Sequence, residues 1–224
     1  MLVLITGASK GIGLETVKYL LSLQHNVIAV SRSPLSLTHP HLLSIQGDIR
    51  DENTIKMCKE HLEKNNLSLD VLINNAGYLV NKLFEDIHLS ELQEVYYTNV
   101  FAPFIWIQQL LPYLKKSQHS HIVNISSMGG ILGSQKFPGL SAYSSSKGSL
   151  SILTECLAEE LKPFTISCNA LALGAVQTEM LSQAFPHFKA PLTSQEMAEF
   201  IGWFALNGQK FFNGKILPVA ITTP

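Results

Sequence analysis

The chain has 224 residues, 46% hydrophobic and 15% charged, long enough to bury roughly 70% of its unfolded surface in one core without a metal or disulfide staple. That balance excludes a disordered protein and suits an α/β domain whose central strands are covered on both faces. A formal net charge of -1, with no run of lysines and arginines, excludes the electrostatic footprint of a nucleic-acid binder.

The chain opens on "LVLIT" (2–6), an apolar run that reads as a buried strand. No basic segment precedes it and glycines follow at once, so "MLVLITGASKGIG" is not a secretory leader. Further runs of the same kind are "NVIAVS" (26–31), "LLSIQ" (42–46), "DVLIN" (70–74), "HIVNIS" (121–126), "TISCNAL" (165–171) and a short edge strand, "GKILPV" (214–219). Between them, residues 11–24, 51–65, 90–115, 142–162 and 194–206 carry apolar positions at helical spacing, with Asp51, Ser90 and Ser194 as caps. Strand and helix alternate, which predicts a doubly wound parallel sheet in three layers, α/β/α, within one domain spanning 1–224. The ligand crevice of such a sheet lies outside the carboxyl ends of the strands.

Two stretches interrupt the alternation. "RSPLSLTHPHLL" (32–43) is close to the minimum crossover length and holds two prolines, so it should contain little helix. Residues 175–193, "AVQTEMLSQAFPHFKAPLT", lack a clean period and suit a mobile lid over a site. Cys58, Cys156 and Cys168 are widely spaced and read as reduced core thiols. The eight histidines lack metal-ligand spacing, so no metal site is expected. No apolar window approaches the roughly eighteen residues of a spanning helix, which predicts a cytoplasmic protein without a membrane partner.

Two motifs carry chemistry. "TGASKGIG" (6–13) has glycines at 7, 11 and 13 between a strand and a helix. A tight turn there lets backbone N–H groups approach a pyrophosphate while the helix points its positive end at the same charge. An ordinary strand-to-helix turn is the plainer reading of the motif alone. "AYSSSKGS" (142–149) places Tyr143 and Lys147 four positions apart, one above the other on a helix, where an ammonium favours the ionised phenol. A surface Tyr/Lys pair is the plainer alternative there.

Taken together with "NNAG" (74–77), Asp48 after the third strand, Asn99 in "YTNVF", "IVNISS" ending at Ser127 and "NALALGAVQTEM" (169–180), these motifs make the chain resemble the short-chain dehydrogenase/reductase family over nearly its whole length. The resemblance implies a Rossmann-like sheet of about seven strands in the order 3-2-1-4-5-6-7. It implies an oxidoreductase of the carbonyl reductase or alcohol dehydrogenase type, in which Tyr143 exchanges a proton with a small-molecule carbonyl or alcohol as hydride passes to or from a nicotinamide. Lys147 would favour the phenolate and hold the nicotinamide ribose, Ser127 would hold the carbonyl oxygen, and Asn99 would retain a water linking the lysine to solvent. A strand-end turn for Ser127 and a helix-interior bond for Asn99 are the structural alternatives.

By the same resemblance the cofactor lies along Gly7, Ser9, Lys10, Gly11, Ile12 and Gly13, with Asp48 and Ile49 at the adenine edge. Asn75, Ala76 and Gly77 follow at the adenine ribose, and Gly174, Val176 and Thr178 at the nicotinamide. Asp48 is alternatively a helix cap. An acid about 20 residues beyond the glycines would accept a ribose 2′-hydroxyl. "SRS" stands in its place and no Asp or Glu lies between Glu15 and Asp48, while Arg32 and Lys10 suit a 2′-phosphate, so NADP(H) is favoured over NAD(H).

Three features depart from the family. Ser127 and Tyr143 stand sixteen positions apart, about three more than expected, with "GSQKFPG" (133–139) as the longer loop. Leu173, where a proline is usual, precedes Gly174, and "NGKILPVAITTP" is not the usual ending. The resemblance implies a homodimer or homotetramer through the helices at 90–115 and 142–162, and a spare apolar stripe including Phe104, Trp106, Ile107 and Leu153 fits that, with packing on the sheet as the alternative. The competing reading is a catalytically silent dinucleotide-sensing or scaffolding protein on the same fold.

Overall fold

The computed structural model describes residues 1–222; Thr223 and Pro224, the end of "NGKILPVAITTP", lie outside the described residues. In chain order the elements are β1 (Leu2–Thr6), α1 (Gly11–Ser22), β2 (Asn26–Ser31), β3 (Leu42–Gln46), α2 (Glu52–Lys64), β4 (Val71–Asn74), α3 (Leu89–Tyr96) and α4 (Ala102–Leu114). They continue with β5 (Ser120–Ser127), α5 (Ser141–Glu160), β6 (Ile166–Leu173), β7 (Val176–Gln177), α6 (Glu179–Ala184), β8 (Leu192–Thr193), α7 (Ser194–Asn207) and β9 (Ile216–Val219). Seven strands form a sheet in the order β3-β2-β1-β4-β5-β6-β9, and β7 pairs separately with β8. Every pairing is parallel, with β1 registered on β4 through Val3–Val71, Leu4–Leu72 and Ile5–Ile73.

The strands are continuous apolar runs because both faces are covered. Val3 and Ile5 point to one side, where Val17 and Leu20 of α1 meet Ile201 and Phe204 of α7. Leu2 and Leu4 point to the other, against Cys58, Leu62, Trp106, Leu110 and Ala158 of α2, α4 and α5. Each fully buried side chain of this size contributes about 1.5–3 kcal/mol.

The crossover over 32–41 contains no helix, as its prolines lead one to expect. The predicted helix 90–115 is present without interruption as α3 and α4, but passes through a π turn at Tyr97–Phe101 between them. Caps also shift. Asp51 does cap α2, accepting from Asn53 N, but Thr193 rather than Ser194 caps α7 and His88 rather than Ser90 precedes α3. Residues 175–193 hold β7, α6 and β8. Of the apolar stripe, Trp106 and Ile107 are buried on the sheet, whereas Phe104 is exposed, as are Phe101 and Ile152. Cys58 and Cys168 are buried thiols, but Cys156 is exposed on the outer side of α5. Among the described residues no helix is long and apolar enough to cross a membrane.

Candidate active site

The strand order reverses between β1 and β4, and at their carboxyl ends a cleft of about 790 Å³ opens, within the usual range of ligand sites. Of the residues singled out from the sequence, all line this cleft except Asn99, which is buried behind it.

Its floor is the glycine turn. Gly7 has φ +71°, and a Cβ on Gly13 would stand 2.2 Å from Gly7 O and 2.5 Å from Asn75 Nδ2. Only bare backbone packs this closely. Asn75 Nδ2 donates to Thr6 O at 3.0 Å and Gly7 O at 3.1 Å, and Ala76 N donates to Thr6 Oγ1 at 3.2 Å. "NNAG" is thereby stitched to the glycine turn. α1 starts at Gly11 with no side-chain cap, which leaves its first N–H groups facing the cleft, a natural seat for an anion.

Tyr143 and Lys147 lie on the cleft side of α5. The small residues around them have a packing reason: a Cβ on Gly130 would meet Lys147 C at 2.6 Å and Gly148 N at 2.7 Å. Ser126 Oγ donates to Lys147 O at 3.0 Å. α5 is thus drawn against the turn that follows β5. Ser127 and Tyr143 thus line the cleft together; burial pushes the phenol up, opposed by the nearby Ser127 hydroxyl, which favours the phenolate. Ser127 Oγ also accepts from Gly129 N at 3.2 Å, so the turn role and the site role coexist. Lys147 Nζ donates to Ile125 O at 2.7 Å, and burial pushes its ammonium down to about 8.

Asn99 fixes the π turn. Its Nδ2 donates to Tyr78 O and Ser146 Oγ, each at 2.9 Å, and its Oδ1 accepts from Tyr78 N at 2.9 Å. A Cβ on Gly77 would lie 3.6 Å from both Asn99 Oδ1 and Lys147 Nζ, so amide and ammonium flank the same glycine.

On the β3 side, Asp48 does not cap α2, whose cap is Asp51. Arg50 instead grips Asp48, with Nη2 donating to Oδ2 at 2.8 Å, and this guanidinium holds the carboxyl below the usual carboxylate range. Arg50 also pairs with Glu94. Arg32 is exposed in the lining, its backbone O accepting from Gln46 Nε2 at 3.1 Å. Lys10 is engaged across the cleft by Glu179, at the start of α6. Thr178 Oγ1 accepts from Leu181 N at 3.1 Å and so caps α6. Sequence reasoning passed over Glu179, Arg50, Phe137 and Phe185, which also line the cleft; Glu179, Phe137 and Phe185 have partners distant in sequence, whereas Arg50 has the nearby Asp48 as well as Glu94. Among the described residues no three His, Cys, Asp or Glu side chains gather as a metal site would require.

The family profile described as short chain dehydrogenase matches residues 1–188. A probable short-chain type dehydrogenase/reductase of Helicobacter pylori is 36% identical over 184 residues, covering 81% of this chain and 67% of that protein. A cyclopentanol dehydrogenase of Comamonas testosteroni is 31% identical over 191 residues, 81% of this chain and 75% of its own. Among solved structures, the NADPH-bound carbonyl reductase from chicken fatty liver superposes with a TM-score of 0.87 at 29% identity, covering 96% of this chain and 95% of that one. A 3-ketoacyl-(acyl-carrier-protein) reductase from Brucella melitensis complexed with NADH gives 0.88 at 26% identity, over 98% and 96%.

Proposed function

The chain belongs to the short-chain dehydrogenase/reductase family of oxidoreductases, and on that premise we propose that it is an NADP(H)-dependent carbonyl reductase or alcohol dehydrogenase acting on a small molecule. The observation that carries the reading is the meeting of the Ser127 hydroxyl and the Tyr143 phenol in the cleft, with Lys147 behind them.

A dinucleotide fits the residues present. A Cβ on Gly13 would fill the turn, Gly7 needs its positive φ, and α1 begins uncapped, so the pyrophosphate falls to this backbone. Asp48 and Ile49 serve the adenine, Asn75, Ala76 and Gly77 the adjoining ribose, and Gly174, Val176 and Thr178 the far end. Arg32 and Lys10 favour the 2′-phosphate of NADP(H). Bound there, the nicotinamide supplies or takes the hydride.

Tyr143 gives its proton to the substrate oxygen, and its burial keeps that proton in place until the oxygen gathers charge. The Ser127 hydroxyl holds the same oxygen and offsets the growing charge. Lys147, anchored on Ile125 O, supplies the positive field under the phenol. Asn99 ties Tyr78 to α5, and the remaining lone pair of Oδ1, beside Gly77, serves a water reaching Lys147. Exposed Phe101, Phe104 and Ile152 support assembly into a homodimer or homotetramer. Three free thiols accord with a reducing cytoplasm.

Fluorescence titration with NADPH, followed by a carbonyl panel read at the cofactor's absorbance, tests the reading. Binding without turnover on any carbonyl would instead identify a silent dinucleotide sensor.

A further inference from the structure

The class of carbonyl compound is inferred from the cleft's wall, and this step rests on the reductase reading above. The strand order separates the cleft's charges. Arg32, Asp48 and Arg50 follow β2 and β3 at one edge, whereas Ser127 and Tyr143 follow β5 on the other side. Around this second group the lining includes an apolar set, Met128, Phe137, Leu140, Met180, Ala184 and Phe185, beside the neutral polar Gln135 and Ser144. Nearby charges are turned elsewhere. Lys136 Nζ donates to Ile131 O and Ser134 Oγ, each at 2.7 Å, Lys82 pairs with Glu91 at 2.6 Å, and Lys10 pairs with Glu179.

Phe137 comes from the longer loop and Phe185 from the end of α6. Their rings meet edge to face, centroids 5.5 Å apart and planes at 77°. One side chain holds the two segments together. Asn81 Nδ2 donates to Ala184 O at 2.9 Å, and its Oδ1 lies 2.1 Å from where a Cβ on Gly139 would stand, at a residue with φ +85°. Lys82 N donates to Gly139 O at 3.1 Å, closing the same junction.

We propose that Phe137 and Phe185, held in contact by Asn81, form the wall that holds a neutral, flat, apolar carbonyl compound for reduction and turns away its anionic counterparts. An aromatic pair offers a planar ketone a face and an edge to pack on. A carboxylate set against the two rings gives up its hydration, and the aromatic faces offer it no donor in exchange.

Steady-state kinetics with NADPH on acetophenone, para-carboxyacetophenone and acetone test this, alongside NADPH affinity by fluorescence. Acetophenone should exceed its carboxylated analogue in kcat/KM by about 100-fold. Phe137→Ala and Phe185→Ala should each lower kcat/KM for acetophenone about 10-fold, through KM, while NADPH affinity and acetone turnover stay within about twofold. Asn81→Asp, which removes the donor to Ala184 O, should raise KM for acetophenone and leave kcat and NADPH affinity in place. Equal or better use of the carboxylated ketone, or equal losses on acetone, would overturn the aromatic wall while leaving the reductase reading intact. NADPH binding with no ketone reduced would overturn both.

Discussion

Lys147 Nζ sits 2.7 Å from Ile125 O and 5.8 Å from the centroid of the Tyr143 ring. The lysine is therefore anchored to the end of β5, one helical turn from the phenol. Burial works against ionisation of both groups, raising the phenol and lowering the ammonium. The resting state is a neutral phenol, which is the form a carbonyl reduction needs.

Tyr143→Phe removes the proposed proton donor and leaves the ring in place. Turnover of any carbonyl substrate should fall by about 10³-fold, within the range for general acid catalysis. NADPH affinity, read by fluorescence, should change by less than about threefold.

With its ammonium held near pH 8, Lys147 loses charge above that point. The group is shifted down, so the protonated form dominates below about 8 and disappears as pH rises. A pH profile of kcat/KM for reduction should therefore show an alkaline limb near pH 8, absent from the low, flat profile of Lys147→Ala. A limb at about pH 10 or beyond would place the lysine in a solvated setting.

Lys10 and Glu179 hold each other across the cleft, both largely exposed. Lys10→Ala and Arg32→Ala should each weaken NADPH about 10-fold and leave NADH nearly unchanged, since a charged partner of the 2′-phosphate is lost. Glu179→Gln should act in the opposite sense, freeing Lys10 and tightening NADPH. Titrations of both cofactors at low salt measure this; equal effects on NADH would remove these cations from 2′-phosphate recognition.

Only Cys156 is exposed among the three thiols, whereas burial raises Cys58 to about 12 and pushes Cys168 up as well. A colorimetric thiol reagent should label one site on the folded protein and three in denaturant. Cys156→Ser should abolish the native phase.

His121 is buried between Ala205 O and Asn169 Nδ2, each 3.0 Å away, and its pKa is pushed down to about 4. Between that value and the unfolded one near 6.5, the unfolded chain binds more protons. Stability should therefore fall as pH drops through this window, by about 3 kcal/mol at its lower end. His25, also shifted down by burial, adds in the same direction. Urea midpoints from pH 7 to 4 measure it; an unchanging midpoint would refute the account.

The strands were legible because parallel strands covered on both faces must be apolar throughout, as "LVLIT" and "VLIN" are. The π turn within 90–115 was hidden, since the bonds of Asn99 to Tyr78 and Ser146 within it are tertiary and have no local signature. Trp106 read as spare surface, yet its Nε1 donates to Ile49 O at 2.8 Å and its ring faces the core. The ordered motifs marked Ser127, Tyr143 and Lys147, and all three line the cleft. Pairings such as Lys10 with Glu179, 169 positions apart, left no trace in any window.

The contact of Gly13 with Gly7 and Asn75 makes the protein's tolerance of change lopsided. An added methyl at position 13 has nowhere to go except by prising the "NNAG" corner from its neighbour, whereas the outer surface of α5 accepts bulk freely. Substitution is thus rejected at the glycine turn far sooner than along the outer face of α5.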